Sequence, residues 1–276
     1  MSGILWIASY PKSGSTWLRA FIANLRQEGG EIADINHLGI PTAANRRLFY
    51  ETAGIEASDL TDEEVARLRP EIYRYLATTS QQQVILKIHD ARTNSEKASL
   101  IPSDVTIGAV YILRNPLDVA VSFAHHASES IEWAITTMGC ATAAFSSDTP
   151  IRNLNQRLLT WSEHVLSWVD RPPFPVHVVR YEDLHQQPTQ AFTQVARACA
   201  LSTDERRIQQ AIRNSTFASL RAQEQARDFI ERPPATQAFF REGKADGWRK
   251  TLSETQVARI VADHEAVMRR FGYYPL

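Results

Sequence analysis

The chain has 276 residues, 43% of them hydrophobic and 22% charged, which is ordinary globular usage with enough apolar surface for a substantial core and excludes global disorder. Thirty Lys and Arg against 31 Asp and Glu leave a formal charge of −1, so the surface as a whole is not built for nucleic acid and any anion site is local. The two cysteines, Cys140 and Cys199, have neither zinc-site nor redox-motif spacing, which speaks against a metal knuckle or a disulfide framework and fits a reducing cytosol.

At the N-terminus, Ile4–Ala8 reads as a short buried strand, and Trp17–Leu25 has apolar residues at helical spacing, with a Ser/Gly cluster between them. Further strands are expected at Val84–Ile88, Ala109–Leu113 and Val176–Val179. Helices are expected over Asp62–Ala77, Leu117–His126, Leu154–Val169, Pro188–Ala200, Asp204–Ala211 and Ser253–Phe271. This alternation predicts a single α/β domain over residues 1–276, with a central parallel sheet flanked by helices on both faces. Two stretches lack apolar periodicity, Ala127–Arg152 and Ala226–Asp246, and read as long loops that would serve as lids over an acceptor site. No apolar stretch approaches the roughly 18 residues of a membrane span, and the first residues lack a signal peptide's basic region, so a cytoplasmic chain with no membrane span is expected.

The richest segment is Tyr10-Pro11-Lys12-Ser13-Gly14-Ser15-Thr16-Trp17, at the hand-over from strand to helix. Backbone N–H groups at the helix start would face an anion, Gly14 would permit close approach, and Lys12 supplies charge: a P-loop-like phosphate-binding strand-loop-helix. A nucleoside-triphosphate loop needs its Lys after the second Gly, followed by Ser or Thr for Mg²⁺. Here Lys12 precedes the loop's lone Gly, which disfavours ATP or GTP chemistry. Read alone, Lys12 remains open as a surface lysine and Trp17 as core packing. A second anion site is suggested where Leu113 gives way to Arg114-Asn115-Pro116, with Ser122 one or two turns into the next helix.

Tyr10–Trp17 resembles the 5'-phosphosulfate loop, Y-P-K-[SA]-G-[ST]-[TN]-W, of the sulfotransferases that use 3'-phosphoadenosine-5'-phosphosulfate (PAPS) as donor and release adenosine 3',5'-bisphosphate (PAP). The resemblance implies that Lys12 contacts the bridging oxygen, that Ser13, Gly14, Ser15 and Thr16 cradle the 5'-phosphate, and that Trp17 stacks on adenine. Arg114 to Ser122 matches that family's R-[ND]-P-x-D-x-x-x-S pattern, implying that Arg114 and Ser122 bind the 3'-phosphate. Arg241-Glu242-Gly243-Lys244-Ala245-Asp246-Gly247-Trp248 is similar to its R-K-G-x-x-G-D-W loop, in which Arg241 and the Gly243 backbone would clamp the same phosphate. Glu242 in place of Lys and the order Asp246-Gly247 depart from that pattern and leave their own contacts open. Tyr181-Glu182-Asp183 and Ser215-Thr216-Phe217 resemble two further segments and make Tyr181 and Phe217 adenine contacts, though each aromatic alone is as readily core.

Lys87 and His89 lie on one side of a strand end, in Leu86-Lys87-Ile88-His89-Asp90. The family has K-[TS]-H there, so Ile88 is a departure that removes a hydroxyl and keeps the pair. By resemblance His89 is the general base for an acceptor hydroxyl, and Lys12 and Lys87 offset charge on the transferred and leaving groups. No metal is required in that scheme, and the adjacent His125 and His126 point apart on a helix, toward acceptor contact or solvent. The implied partner is a small-molecule acceptor, without nucleic acid. Its identity stays open, as do a nucleotide phosphotransferase and a binding protein without chemistry. The family's C-terminal dimer segment, K-x-x-x-T-V-x-x-x-E, is not reproduced from Lys250 onward, so that dimer is not expected.

Overall fold

The computed structural model describes residues 3–27, 29–93, 99–146 and 153–275. Its elements are, in order, β1 (Ile4–Ala8), α1 (Ser15–Arg26), α2 (Arg46–Ala53), α3 (Asp62–Thr79), β2 (Val84–Ile88), β3 (Thr106–Leu113), α4 (Pro116–Ala127), α5 (Ile131–Met138), β4 (Ala144–Phe145), β5 (Gln156–Arg157), α6 (Trp161–Val169), β6 (Val176–Arg180), α7 (Tyr181–Gln186), α8 (Pro188–Ala198), α9 (Glu205–Asn214), α10 (Phe217–Arg227) and α11 (Glu254–Arg270).

Four strands form one parallel sheet in the order β2-β1-β3-β6. Alternation along β1 explains why its run is apolar throughout: Ile4, Trp6 and Ala8 join the core beneath α3, α4 and α6, while Leu5 and Ile7 join the core beneath α1, α8 and α9. The expected single α/β domain with helices on both faces is what forms. Because all four strands run the same way, Ser9 after β1, His89 after β2, Arg114 after β3 and Tyr181 after β6 emerge at one edge. The chain leaves β1 for neighbours on both sides, and such a reversal is where open α/β sheets place their sites.

The helices are set by local chemistry. Thr61, Thr160 and Ser253 each close a capping box at the start of α3, α6 and α11, with Glu64, Glu163 and Gln256 reaching back. Asn115 caps α4 by accepting from the Leu117 N–H, and Pro116 occupies the first turn, where its missing N–H costs nothing. Among the described residues, no helix is long and apolar enough to cross a membrane.

Three expectations change. The helix expected from Leu154 starts at Trp161: the Thr160 capping box fixes its start, Leu159 sits at φ 63°, and Gln156–Arg157 pairs antiparallel with Ala144–Phe145 instead. The stretch expected as a loop from Ala127 to Arg152 contains α5, whose eight residues bury Ala134, Ile135 and Met138 and are too few to display a period; residues 147–152 lie outside those described. The loop expected from Ala226 does hold from Asp228 to Asp246, but it is preceded by α10, which Thr216 caps through the Ser219 N–H.

Candidate functional site

The loop after β1 turns sharply into α1. Lys12 lies at φ 67° and Gly14 at φ 109°, and a Cβ on Gly14 would fall 2.7 Å from the Tyr181 ring, so this position is closed to other residues. No side chain caps α1, which leaves the first N–H groups of a 12-residue helix pointing into the cavity beside Ser15 and Thr16. Ser13 Oγ, Trp17 Nε1 and Arg114 Nε are buried and find no partner among the described residues. Buried polar atoms are almost always satisfied, so a cradle with several orphaned donors fits a polyanion with oxygens on two sides.

Arg114 leans over the Tyr181 ring at 4.3 Å and donates to the carbonyls of Lys12 (3.0 Å) and Lys244 (3.1 Å), joining the first loop to the C-terminal one. Asp118 holds that C-terminal loop on α4 by accepting from the N–H groups of Asp246 (2.8 Å) and Trp248 (3.0 Å). Glu182 does the same for the turn before α4: it accepts from the Asn115 N–H and from the Tyr273 hydroxyl. Asp118 and Glu182 are therefore brackets for the loops. Gly243 stands at φ 61° with an added Cβ only 2.0 Å from the Phe217 ring, so loop and aromatic are fitted to each other. Glu242, the departure from the family pattern, lies 3.6 Å from Arg241 and partly neutralises it. The reversed Asp246-Gly247 is accommodated by a left-handed Asp246, which Asp tolerates better than most residues.

Trp17 packs edge-on to Tyr181 and Phe192 and tilts against His185 at 4.7 Å. Trp17, Tyr181 and Phe217 all border the cavity, as do Ser122, Arg241 and Gly243.

His89 is buried, and its Nδ1 lies 2.8 Å from the Ser9 carbonyl, which can only accept. Nδ1 must then carry the hydrogen, and Nε2 is left with its lone pair. Burial first, then the nearby Lys87, holds the imidazole pKa well below the usual histidine range, so the ring is neutral at physiological pH. Behind it, His164 donates through Nε2 to the His89 carbonyl and meets the Tyr111 hydroxyl at Nδ1. Asp90 anchors the strand end by a bidentate pair with Arg69 at 2.9 and 2.6 Å, both side chains buried.

Lys12 Nζ lies 3.2 Å from His126 Nδ1 and 4.2 Å from the Phe239 ring centre. Burial, then Lys87 and Arg114, lowers its pKa to about 7. Lys87 is likewise lowered by burial, and its ammonium lies 3.5 Å from Glu231, whose other oxygen takes a 2.7 Å bond from Arg19. Neither Glu231 nor Arg19 is marked out in the sequence reading. Arg19 follows Thr16 by less than one helical turn and shares its side of α1, which is a usable signal; Glu231 lies in a segment without periodicity and offers none. His126 is four residues beyond Ser122 on α4, so helical spacing alone brings it to the site.

Lys12, Gly14, Ser15, Thr16, Lys87, His89, Arg114, His126 and Glu231 open on one cavity of about 1880 Å³, reaching from the α1 loop past His89 to Phe123, Trp133, Phe145 and Phe239, whereas Ser13 is buried behind its wall. A single small-molecule site typically occupies about 300–1,000 Å³, so this volume suits two ligands side by side.

Comparison with known proteins bears on this arrangement. Residues 3–272 match the family described as the sulfotransferase domain. A dog sulfotransferase 1A1 (Canis lupus familiaris) is 23% identical over 97% of this chain and 84% of its own length. The luciferin sulfotransferase of Photinus pyralis is 24% identical over 92% and 68%, and an amine sulfotransferase of Oryctolagus cuniculus 21% identical over 97% and 81%. Among solved structures, retinol dehydratase in complex with androsterone and the inactive cofactor PAP superposes with a TM-score of 0.64 at 18% identity, covering 96% of this chain and 80% of that one. A mouse sulfotransferase complexed with PAP gives 0.60 at 18% identity, covering 98% and 86%. At that identity the two structures speak for the fold.

Proposed function

Because the chain belongs to the sulfotransferase domain family, we propose that it moves the sulfuryl group of PAPS onto a hydroxyl, or an amine, of a small-molecule acceptor, with His89 as general base. The observation that carries this reading is the meeting, in one cavity, of the uncapped start of α1 beside Lys12 and Arg114 and a buried neutral histidine whose tautomer is fixed by the Ser9 carbonyl.

Each residue has a chemical task in this reading. Ser13, Gly14, Ser15 and Thr16 hold the 5'-phosphate at the uncapped start of α1, while Arg114, Ser122, Arg241 and the Gly243 backbone hold the 3'-phosphate. The adenine lies among Trp17, Tyr181 and Phe217. The donor supplies an activated sulfur whose transfer places little bonding demand on the protein, so alignment and charge carry the catalysis. His89 Nε2 takes the acceptor proton as the oxygen–sulfur bond forms, and Lys12 offsets the charge that gathers on the bridging oxygen as that bond breaks. Lys87 faces the transferred group from the β2 end. Phe123, Phe145 and Phe239 give the acceptor an apolar seat, and His126 borders it from α4.

The segments 127–152 and 226–246 act as acceptor-side lids in this reading, supported by Trp133, Phe145 and Phe239 on the cavity wall. A single functional unit over residues 1–276, a cytoplasmic setting and the absence of a nucleic-acid partner complete the proposal; the relatives named for luciferin and for amines differ in acceptor, which leaves this chain's acceptor to experiment.

Calorimetric titration of PAP and of ATP, without metal and then with Mg²⁺, tests the donor class. Metal-independent binding of PAP that requires its 3'-phosphate is the expected result. Preference for ATP with Mg²⁺ overturns the reading in favour of a phosphotransferase.

A further inference from the structure

The segment between α10 and α11 places a carboxylate where transfer calls for cations. Glu231 bridges Arg19 of α1 and Lys87 of β2, one oxygen to each, at 2.7 and 3.5 Å. Despite burial, which would raise it, its carboxyl is held down to about 2 by Lys87 and then Arg19, so it is ionised throughout the working range. Lys87 needs such a neighbour. Its side chain is 14% exposed, and among the described residues the other charged or titratable groups coupled to it are bases: Arg19 on α1, His89 beyond β2, Lys12 in the first loop and His126 on α4. Burial and like charge both favour loss of the Lys87 proton, and a neutral amine would offer the oxygens of the transferred group only weak N–H hydrogen bonds and no charge. Glu231 is the one ion-pair partner of Lys87 among the described residues.

We propose that Glu231 is a positioning residue for sulfuryl transfer: it holds the Lys87 ammonium at the reaction centre and supplies its counter-charge, while Arg19 fixes the carboxylate. The inference rests on the role given above to Lys87. Glu231 belongs to the same segment as Arg241 and Gly243, and Glu224 pins that segment by accepting from the Phe239 and Phe240 N–H groups at 2.6 and 3.0 Å. Seating of this segment against the nucleotide and placement of Lys87 are thus carried by one stretch of chain.

The chain has only five lysines, Lys12, Lys87, Lys97, Lys244 and Lys250, so ε-¹³C-lysine labelling gives a spectrum in which Lys87 is assigned by its loss in Lys87→Met. In Glu231→Gln the Lys87 signal titrates at lower pH than in the wild type, while Glu231→Asp moves it back toward the wild-type position. With PAPS and the best acceptor from a panel of phenols, alcohols and amines, Glu231→Gln loses kcat by about tenfold, less than the ~10²–10³ of deleting a transition-state donor outright. Its PAP affinity stays within about threefold, since PAP lacks the transferred group. An unmoved Lys87 titration overturns the proposal, and so does a variant that loses PAP affinity with kcat unchanged, which would make Glu231 an anchor for the segment alone. Failure of the wild type to bind PAP would instead sink the reading of the site, and the lysine titration would still judge the Glu231 pairing.

Discussion

Raising the pH from 7 to 9 should detach the nucleotide through Lys12. In the free protein that ammonium is buried beside Lys87 and Arg114, and its pKa falls to about 7. PAP brings the opposite charge to the same place, so the bound form restores the proton; binding and protonation are then linked. For a group half protonated at pH 7 and about 1% protonated at pH 9, the dissociation constant should rise about fifty-fold, or roughly 2.3 kcal/mol. The nucleotide does not contribute to that slope, because the second ionisation of a phosphate monoester lies near 6. The nearby histidines His89, His125, His126 and His185 are all lowered, by burial above all, which sets them further from this pH window. Calorimetry of PAP at constant ionic strength, in pairs of buffers with different ionisation enthalpies, reads both quantities. The expected result is proton uptake on binding that grows from pH 7 to 8, and Lys12→Met should abolish the uptake and flatten the profile. An affinity that is level to pH 9 without proton uptake would refute the argument, since Lys12 would then keep an ordinary lysine pKa in the empty site.

His89→Ala should lower kcat by about 10²- to 10⁴-fold at unchanged PAP affinity, whereas Arg114→Ala should weaken PAP above all; full activity in His89→Ala would remove its role as base. Gly243→Ala forces a Cβ into the Phe217 ring at a left-handed backbone position, so PAP affinity should fall about tenfold, combining about 1 kcal/mol of backbone cost with a displaced ring; calorimetry checks it. Arg69→Ala strands the Asp90 carboxylate inside the protein and should destabilise the fold by about 3–5 kcal/mol in urea unfolding; a loss under 1 kcal/mol would mean that the pair is not the anchor of the β2 end.

The parts of this molecule that were legible in the sequence are those in which one physical demand acts on adjacent residues. β1 shows its limits because a doubly covered parallel strand is apolar on both faces and stops where the chain turns polar at Ser9, and β2 stays legible because Lys87 is the one break in an otherwise apolar run that ends at His89. The loop from Tyr10 to Trp17 is readable for a similar reason: an anion needs its glycine, its hydroxyls and its lysine within one turn of the chain. Short elements carry no such record. α5 and α7 span eight and six residues, and the ribbon of Ala144–Phe145 with Gln156–Arg157 has two residues a side, too few for a period to emerge.

What sequence spacing could not supply is the set of charges brought together across the fold. Arg69 and Asp90 are 21 residues apart and Lys87 and Glu231 are 144 apart, and neither pair leaves a local pattern. The consequence is a division of labour within the motifs. Lys12 and Arg114 face the cavity, while Asp118 and Glu182, both beyond Arg114 in the chain, spend their oxygens on backbone N–H groups of other loops and on Tyr273. These acids form no ion pair with the cradle's cations among the described residues, and their hydrogen bonds hold the loops that carry those cations in place. Glu231, like Glu242 beside Arg241, is a carboxylate that stays among the cations, and its bonds to Lys87 and Arg19 are why its removal should be felt at Lys87 before it is felt in the binding of the nucleotide.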